Sequence, residues 1–308
     1  MSTSGNLSPS SIGGSSGVLG RLKTGFKLTV DSIGVIRSHP KLLTLPLLGG
    51  ASAVFFWILF LLPLFVAELL GSGLIVVVLF MLYFVTTFFA SLFTAALVFA
   101  VNQVFHDEEP DIKESIRAAW QRKGPILAWS AIAAVVSLLL KWLEQQDNTL
   151  SSVANMVFGI AWSVTTFFII PVIVFEDVTV KTMFTRSAET FKDTWGESIG
   201  VGFGVAIIQF AVAAVGILIA AGAFLVFGAL FPALGIVLGV VLFGAALLAA
   251  YLVGQTIWAV TKTALYVYAA EDRIPDEFAD FDFETMDGRT EQKARTGKVS
   301  SPNTHLSD

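Results

Sequence analysis

Six long apolar runs, separated by short polar connections, constrain this chain more than anything else in it. They cover residues 42–67, 73–105, 125–143, 153–175, 198–228 and 233–270. A helix of about 20 apolar residues crosses the hydrocarbon core of a bilayer. With no water there to satisfy the backbone, a helix that bonds to itself is the form such a run takes. Charged residues make up only 14% of the 308, against about 25% in a soluble domain. The expected fold is therefore an all-α polytopic membrane helix bundle of six spans. Runs two and six are longer than a span needs, so they are expected to project past the membrane or to tilt.

Lys and Arg orient the bundle. They lie before run one (Arg37, Lys41), between runs two and three (Lys113, Arg117, Arg122, Lys123), between four and five (Lys181, Arg186, Lys192) and after six (Arg273, Arg289). The connections near residues 68–72, 144–152 and 229–232 contain neither. An even number of spans puts every basic connection on one side. That side reads as cytoplasmic, with both termini there, in the cell membrane.

The basic connections carry helical periodicity. Within residues 180–195, Val180, Met183, Phe184, Ser187, Ala188 and Phe191 share one face, opposite Lys181, Arg186, Glu189 and Lys192. Asp177 is expected to cap its start and Gly196 to end it. Within 111–123, Ile112, Ile116, Ala119 and Trp120 oppose Lys113 and Arg117, with Gly124-Pro125 closing the segment. Before run one, Leu19, Leu22, Phe26, Val30 and Ile33 make a third stripe. Each segment suits a helix lying at the lipid headgroups. The spans thus group as three helical hairpins, each preceded by a cytoplasmic amphipathic helix. The repeats would cover 17–105, 110–175 and 178–270, within a membrane domain of 17–285 between disordered tails 1–16 and 286–308. Val85-Thr86-Thr87-Phe88-Phe89 recurs as Val164-Thr165-Thr166-Phe167-Phe168, in support of that repetition.

The stretch from 162 to 198, WSVTTFFIIPVIVFEDVTVKTMFTRSAETFKDTWGES, resembles the signature stretch of an uncharacterised prokaryotic multi-pass membrane family known only as a domain of unknown function. Its sharpest parts are Pro171, Glu176-Asp177, Arg186-Ser187-Ala188 and Thr194-Trp195-Gly196-Glu197. The resemblance extends over roughly 17–285 and implies a six-helix bundle. The layout is also similar to the membrane domains attached to some glycerophosphodiester phosphodiesterases. A catalytic barrel of about 250 residues has no room here, so no phosphodiesterase activity follows from that similarity.

Chemistry inside a bilayer needs polar groups at depth, where they are costly. Lys262 is the charge within an apolar run, and snorkelling to the inner surface beside Trp258, Tyr266 and Tyr268 is its expected role. Gln209 falls near mid-membrane, and it and Gln255 are expected to make interhelical hydrogen bonds worth about 1 kcal/mol. Gly196, Gly200 and Gly204 line one side of a helix and offer a packing groove. The segment 271–291 alternates acids with Phe278, Phe281 and Phe283 and reads as a solvated tail, with docking on the helices as the alternative. Cysteine is absent and the three histidines are far apart in sequence, so no metal or other cofactor is expected. No basic block suggests nucleic acid. Catalytic motifs are missing as well, so the chain is not expected to be an enzyme. A membrane-organising or accessory component fits best, with membrane lipid as its partner and a protein partner or homo-oligomer left open. The alternative is a channel or transporter for a small neutral solute or lipid.

Overall fold

A computed structural model describes residues 18–70, 72–145, 149–195, 200–230, 232–271 and 273–279, with side chains over slightly narrower limits. Among them are ten α-helices and no strand: α1 Val18–Ser38, α2 Thr44–Leu70, α3 Ser72–Val104, α4 Ile112–Gln121, α5 Lys123–Glu144, α6 Thr149–Thr165, α7 Ile169–Phe175, α8 Val180–Trp195, α9 Gly200–Leu230 and α10 Pro232–Glu271. Six segments are long and apolar enough to span a membrane: α2, α3, α5, α6 with α7, α9 and α10. Phe55, Ile58 and Leu62 of α2 and Phe210, Leu218 and Leu225 of α9 are exposed, as apolar side chains facing lipid would be. The two overlong runs are unbroken helices. At 40 residues, α10 is about 60 Å long, twice a hydrocarbon core.

The core gathers at one end. In α3, Ala95, Ala96, Val98, Ala100, Val101 and Val104 are all buried, and α3 packs there against α2, α4, α5, α7 and α10. Small residues every turn let that many helices approach one axis. Polar bridges join the connecting segments at the same end. Lys41 meets Glu109 at 3.3 Å, Arg122 meets Asp177 at 3.6 Å, and Arg273 Nη1 donates to the Phe105 carbonyl at 3.0 Å.

The caps explain where these segments start. Asp111 Oδ1 accepts from the N–H groups of Lys113 and Glu114 at 2.8 and 3.0 Å and opens α4. Those bonds, Glu114's first, hold its carboxyl below the ordinary carboxylate range. The helix ends at Arg122, so Gly124-Pro125 falls in the first turn of α5 instead of closing α4; proline is tolerated there because that N–H has no helical partner. Thr179, not Asp177, caps α8: Thr179 N–H donates to Thr182 Oγ1 at 2.8 Å, and Thr182 N–H to Thr179 Oγ1 at 3.4 Å. Asp177 is turned to Arg122.

Each of the three stripes differs from expectation at one position; in α8 it is Val180, which is exposed. In α1, Val30 is 44% exposed while Leu28, Thr29, Ser32 and Val35 are buried. The inward face carries hydroxyls because Ser32 Oγ donates to the Leu28 carbonyl at 2.9 Å and meets Thr261 Oγ1 of α10 at 2.9 Å. In α4, Trp120 is 48% exposed and Ser115 takes its place inside. Phe278, expected in a solvated tail, is 1% exposed and packs edge-on against Phe105. Phe281 and Phe283 lie outside the described residues.

Candidate functional site

The fourth span is broken, which the run of apolar residues did not disclose. Thr165 and Thr166 turn their hydroxyls back to the carbonyls of Ala161 and Trp162, at 2.7 and 2.8 Å, which competes with the helix ladder. Pro171 has no N–H for the Phe167 carbonyl and its ring crowds that oxygen. Between them the ladder tightens: Phe167 N–H reaches Val164 and Ile169 N–H reaches Thr166. The Phe168 N–H leaves its own helix and donates to Ser187 Oγ of α8 at 3.1 Å. Proline alone is not sufficient, since Pro63 lies inside the continuous α2. The sequence echo at Val85–Phe89 also stays helical; the position matching Pro171 there is Leu92.

Beside the break lies a cavity of about 240 Å³ between α3, α5, the fourth span and α10. Lys262 and Gln255 of α10 line it together with Thr87, Ser91, Trp129 and Phe167. The Lys262 ammonium is 4.4 Å from the centre of the Phe167 ring and 5.2 Å from that of Trp258. Phe167 can lie under it because the break turns that residue out of the helix ladder. Among the described residues, Lys262 has no hydrogen bond or ion pair. Ser91 Oγ accepts from Trp129 Nε1 at 3.0 Å, so its own proton remains free to donate. A smaller cavity of about 50 Å³ shares Ala90, Thr94 and Gln255 with the first and reaches Gly49 and Tyr251.

A second cluster stands just beyond the span. Arg186 of α8 grips Glu176 through one edge of its guanidinium: Nε to Oε2 at 2.8 Å and Nη2 to Oε1 at 3.0 Å. Tyr266 of α10 donates to the same Oε1 at 2.8 Å. Arg122 Nη1 donates to the Glu176 carbonyl at 3.2 Å. Burial works to raise the Glu176 carboxyl, but the Arg186 and Tyr266 bonds outweigh it and hold it below its ordinary value. One carboxylate thus ties α7, α8 and α10 together. Phe184 of α8 also packs against the stacked pair Trp129–Trp162.

Of the residues singled out from sequence, Gln255 and Lys262 meet in the cavity and Gln209 does not. Gln209 fills a notch on α10, where a Cβ added to Gly254 would come within 1.6 Å of its Nε2. The hairpin of α9 and α10 is close-packed at two further points: a Cβ on Gly216 would lie 2.0 Å from that of Ala246, and one on Gly239 3.2 Å from that of Phe224. Gly196 lies outside the described residues, as do the surroundings of Gly200 and Gly204 at the start of α9. The roles of Ser187, Ser91 and Tyr266 went unread. Pro171 three residues after a Thr-containing break was the available signal for Ser187; nothing local marks the other two.

Residues 73–275 match the Family of unknown function (DUF6159), which is most of the chain and every element that builds the cavity and the Glu176 cluster. The chain belongs to that family. No curated protein and no solved structure matches it.

Proposed function

We propose that this member of the family is a non-catalytic, membrane-organising or accessory component. Its spans form three hairpins, each preceded by an amphipathic helix on the cytoplasmic face, with both termini on that face. The observation that carries this reading is the seating of the half-buried Gln209 against Gly254 of α10, away from the cavity. A solute path through the middle of the bundle would be expected to expose that amide; instead it is wedged into the neighbouring helix. The polar connections add support, since α4, α8 and the segment around Phe278 are packed and ion-paired at one end. Similarity in layout to phosphodiesterase membrane domains adds none.

A specific observation favours a second reading. A cavity at a broken span is how many transporters hold their cargo, and this one would suit a small neutral solute or part of a lipid. Purification in a mild detergent, with identification of the lipids and proteins that accompany the chain, tests the choice. The accessory reading expects a stoichiometric lipid or protein companion and no solute flux in proteoliposomes above that of empty vesicles. Protein-dependent flux would overturn it in favour of transport.

A further inference from the structure

An ammonium taken out of water needs a compensating partner. Two aromatic faces offset part, not all, of what removing an ion from water costs Lys262. Among the described residues no carboxylate lines its cavity. The carboxylate of Glu176 is already held by Arg186 and Tyr266. The rest of the polar lining offers donors with nothing to donate to: the Ser91 hydroxyl, whose lone pair is taken by Trp129, the Thr87 hydroxyl and the Gln255 amide, for which the described residues provide no partner. Thr94 and Thr166, by contrast, spend their protons on their own helices. The cavity therefore carries one positive charge and several free donors, and it lacks an anion.

We propose that this cavity binds the monoanionic oxyanion head of a bilayer amphiphile, either a phospholipid phosphodiester or a fatty-acid carboxylate. The proposal rests on the accessory, lipid-holding reading and names its ligand. One cation matches one negative charge. Lys262 is nine residues from the end of α10, about 14 Å, on a helix long enough to project past the hydrocarbon. That depth suits a headgroup of the leaflet at the polar end. The doorway faces lipid: Ala90 on the rim is exposed and lies inside the span Gly73–Val104. From there the smaller cavity leads along Gly49 and Tyr251, where the start of an acyl chain fits.

The test uses the full chain, stripped of lipid in a neutral maltoside detergent. Its thermal midpoint is followed against dioleoyl phosphatidylglycerol, oleate, dioleoyl phosphatidylcholine and inorganic phosphate. The wild type is expected to be stabilised by phosphatidylglycerol, by oleate or by both, and less by phosphatidylcholine. A response to phosphatidylglycerol alone assigns the phosphodiester, and a response to oleate alone the carboxylate. Lys262→Gln should weaken that response at least about tenfold in concentration, equivalent to ~1.4 kcal/mol, while Lys262→Arg keeps most of it. Ser91→Ala and Gln255→Leu, on the facing walls, should each weaken it too, which covers the case in which a Lys262 variant does not fold. An identical response in wild type and Lys262→Gln, or none in the wild type, overturns the site. Stabilisation by inorganic phosphate alone overturns the lipid source. Lipid that co-purifies independently of Lys262 removes this site and leaves the accessory reading standing; solute flux together with a Lys262-dependent lipid response removes the accessory reading and leaves the site.

Discussion

Replacing Arg186 by methionine would remove the guanidinium from Glu176 and leave most of the side chain's volume in place. The pair is bidentate, with bonds of 2.8 and 3.0 Å, but its side chains are 44% and 23% exposed. It therefore sits between a surface pair, worth about 0–1 kcal/mol, and a buried charged hydrogen bond, worth about 1.5–3 kcal/mol. A coupling of roughly 1–2 kcal/mol follows. The assay is a double-mutant cycle of Arg186→Met and Glu176→Gln, read by thermal unfolding in neutral detergent. Acid provides an internal check. The folded Glu176 carboxyl is held below its ordinary value of 4.5, so its stabilisation is fully present above that pH and is lost as pH falls through the lower folded value. The gap between wild type and Arg186→Met should accordingly narrow in acid. A coupling under about 0.5 kcal/mol at neutral pH, or a gap that does not change on acidification, would refute the clamp.

Ser187→Ala leaves the buried Phe168 N–H without an acceptor and should cost about 1–3 kcal/mol; an unchanged midpoint would mean that the broken turn finds another partner. Gly200→Leu should keep the topology but lower the midpoint by several degrees. The antiparallel register of α9 and α10, carried on from Gly216 and Ala246, sets Thr261 level with the start of α9, and α1 reaches Thr261 through Ser32. An unchanged midpoint would show that this glycine face looks at lipid. For Glu277, burial pushes the carboxyl up, with Asp107 and Asp276 adding to it and His39 opposing. The folded carboxyl keeps its proton where the unfolded one has lost it, so this group reduces stability as pH rises above 4.5. Glu277→Gln should flatten that fall in a pH series of melting curves.

The six spans were legible because length and apolarity alone select them. In α8, Met183 and Ser187 are buried and Phe184 and Phe191 pack against the core, whereas Val180, expected on the same face, is exposed. In α1, Val30 points outward although Ile33 of the same stripe packs against the core, and the buried positions beside them include the polar Thr29 and Ser32. Ser32 is buried with hydrogen bonds within and between helices, which matters more where lipid competes for the apolar residues. The break in the fourth span was hidden by its own composition, since Phe167 and Phe168 are as apolar as their neighbours. Lys262 was expected beside Trp258, and its ammonium lies 5.2 Å from that ring; the Phe167 ring under it was not legible, because the break in another helix places it there. Gln209 was expected to make an interhelical hydrogen bond; its amide packs against Gly254 of α10, a notch that residue type alone does not reveal.

Every reading of the polar end depends on its connections lying on one side of the membrane. The chain has no cysteine, so a single introduced thiol reports unambiguously. Gln121→Cys, Glu189→Cys and Asp276→Cys, with Gln145→Cys as the opposite-side position, are to be labelled with an impermeant maleimide in sealed, inside-out vesicles. The first three should label without permeabilisation and Gln145→Cys only after it. Labelling of Gln145→Cys in sealed vesicles alongside Glu189→Cys would contradict the six-span arrangement and everything built on it.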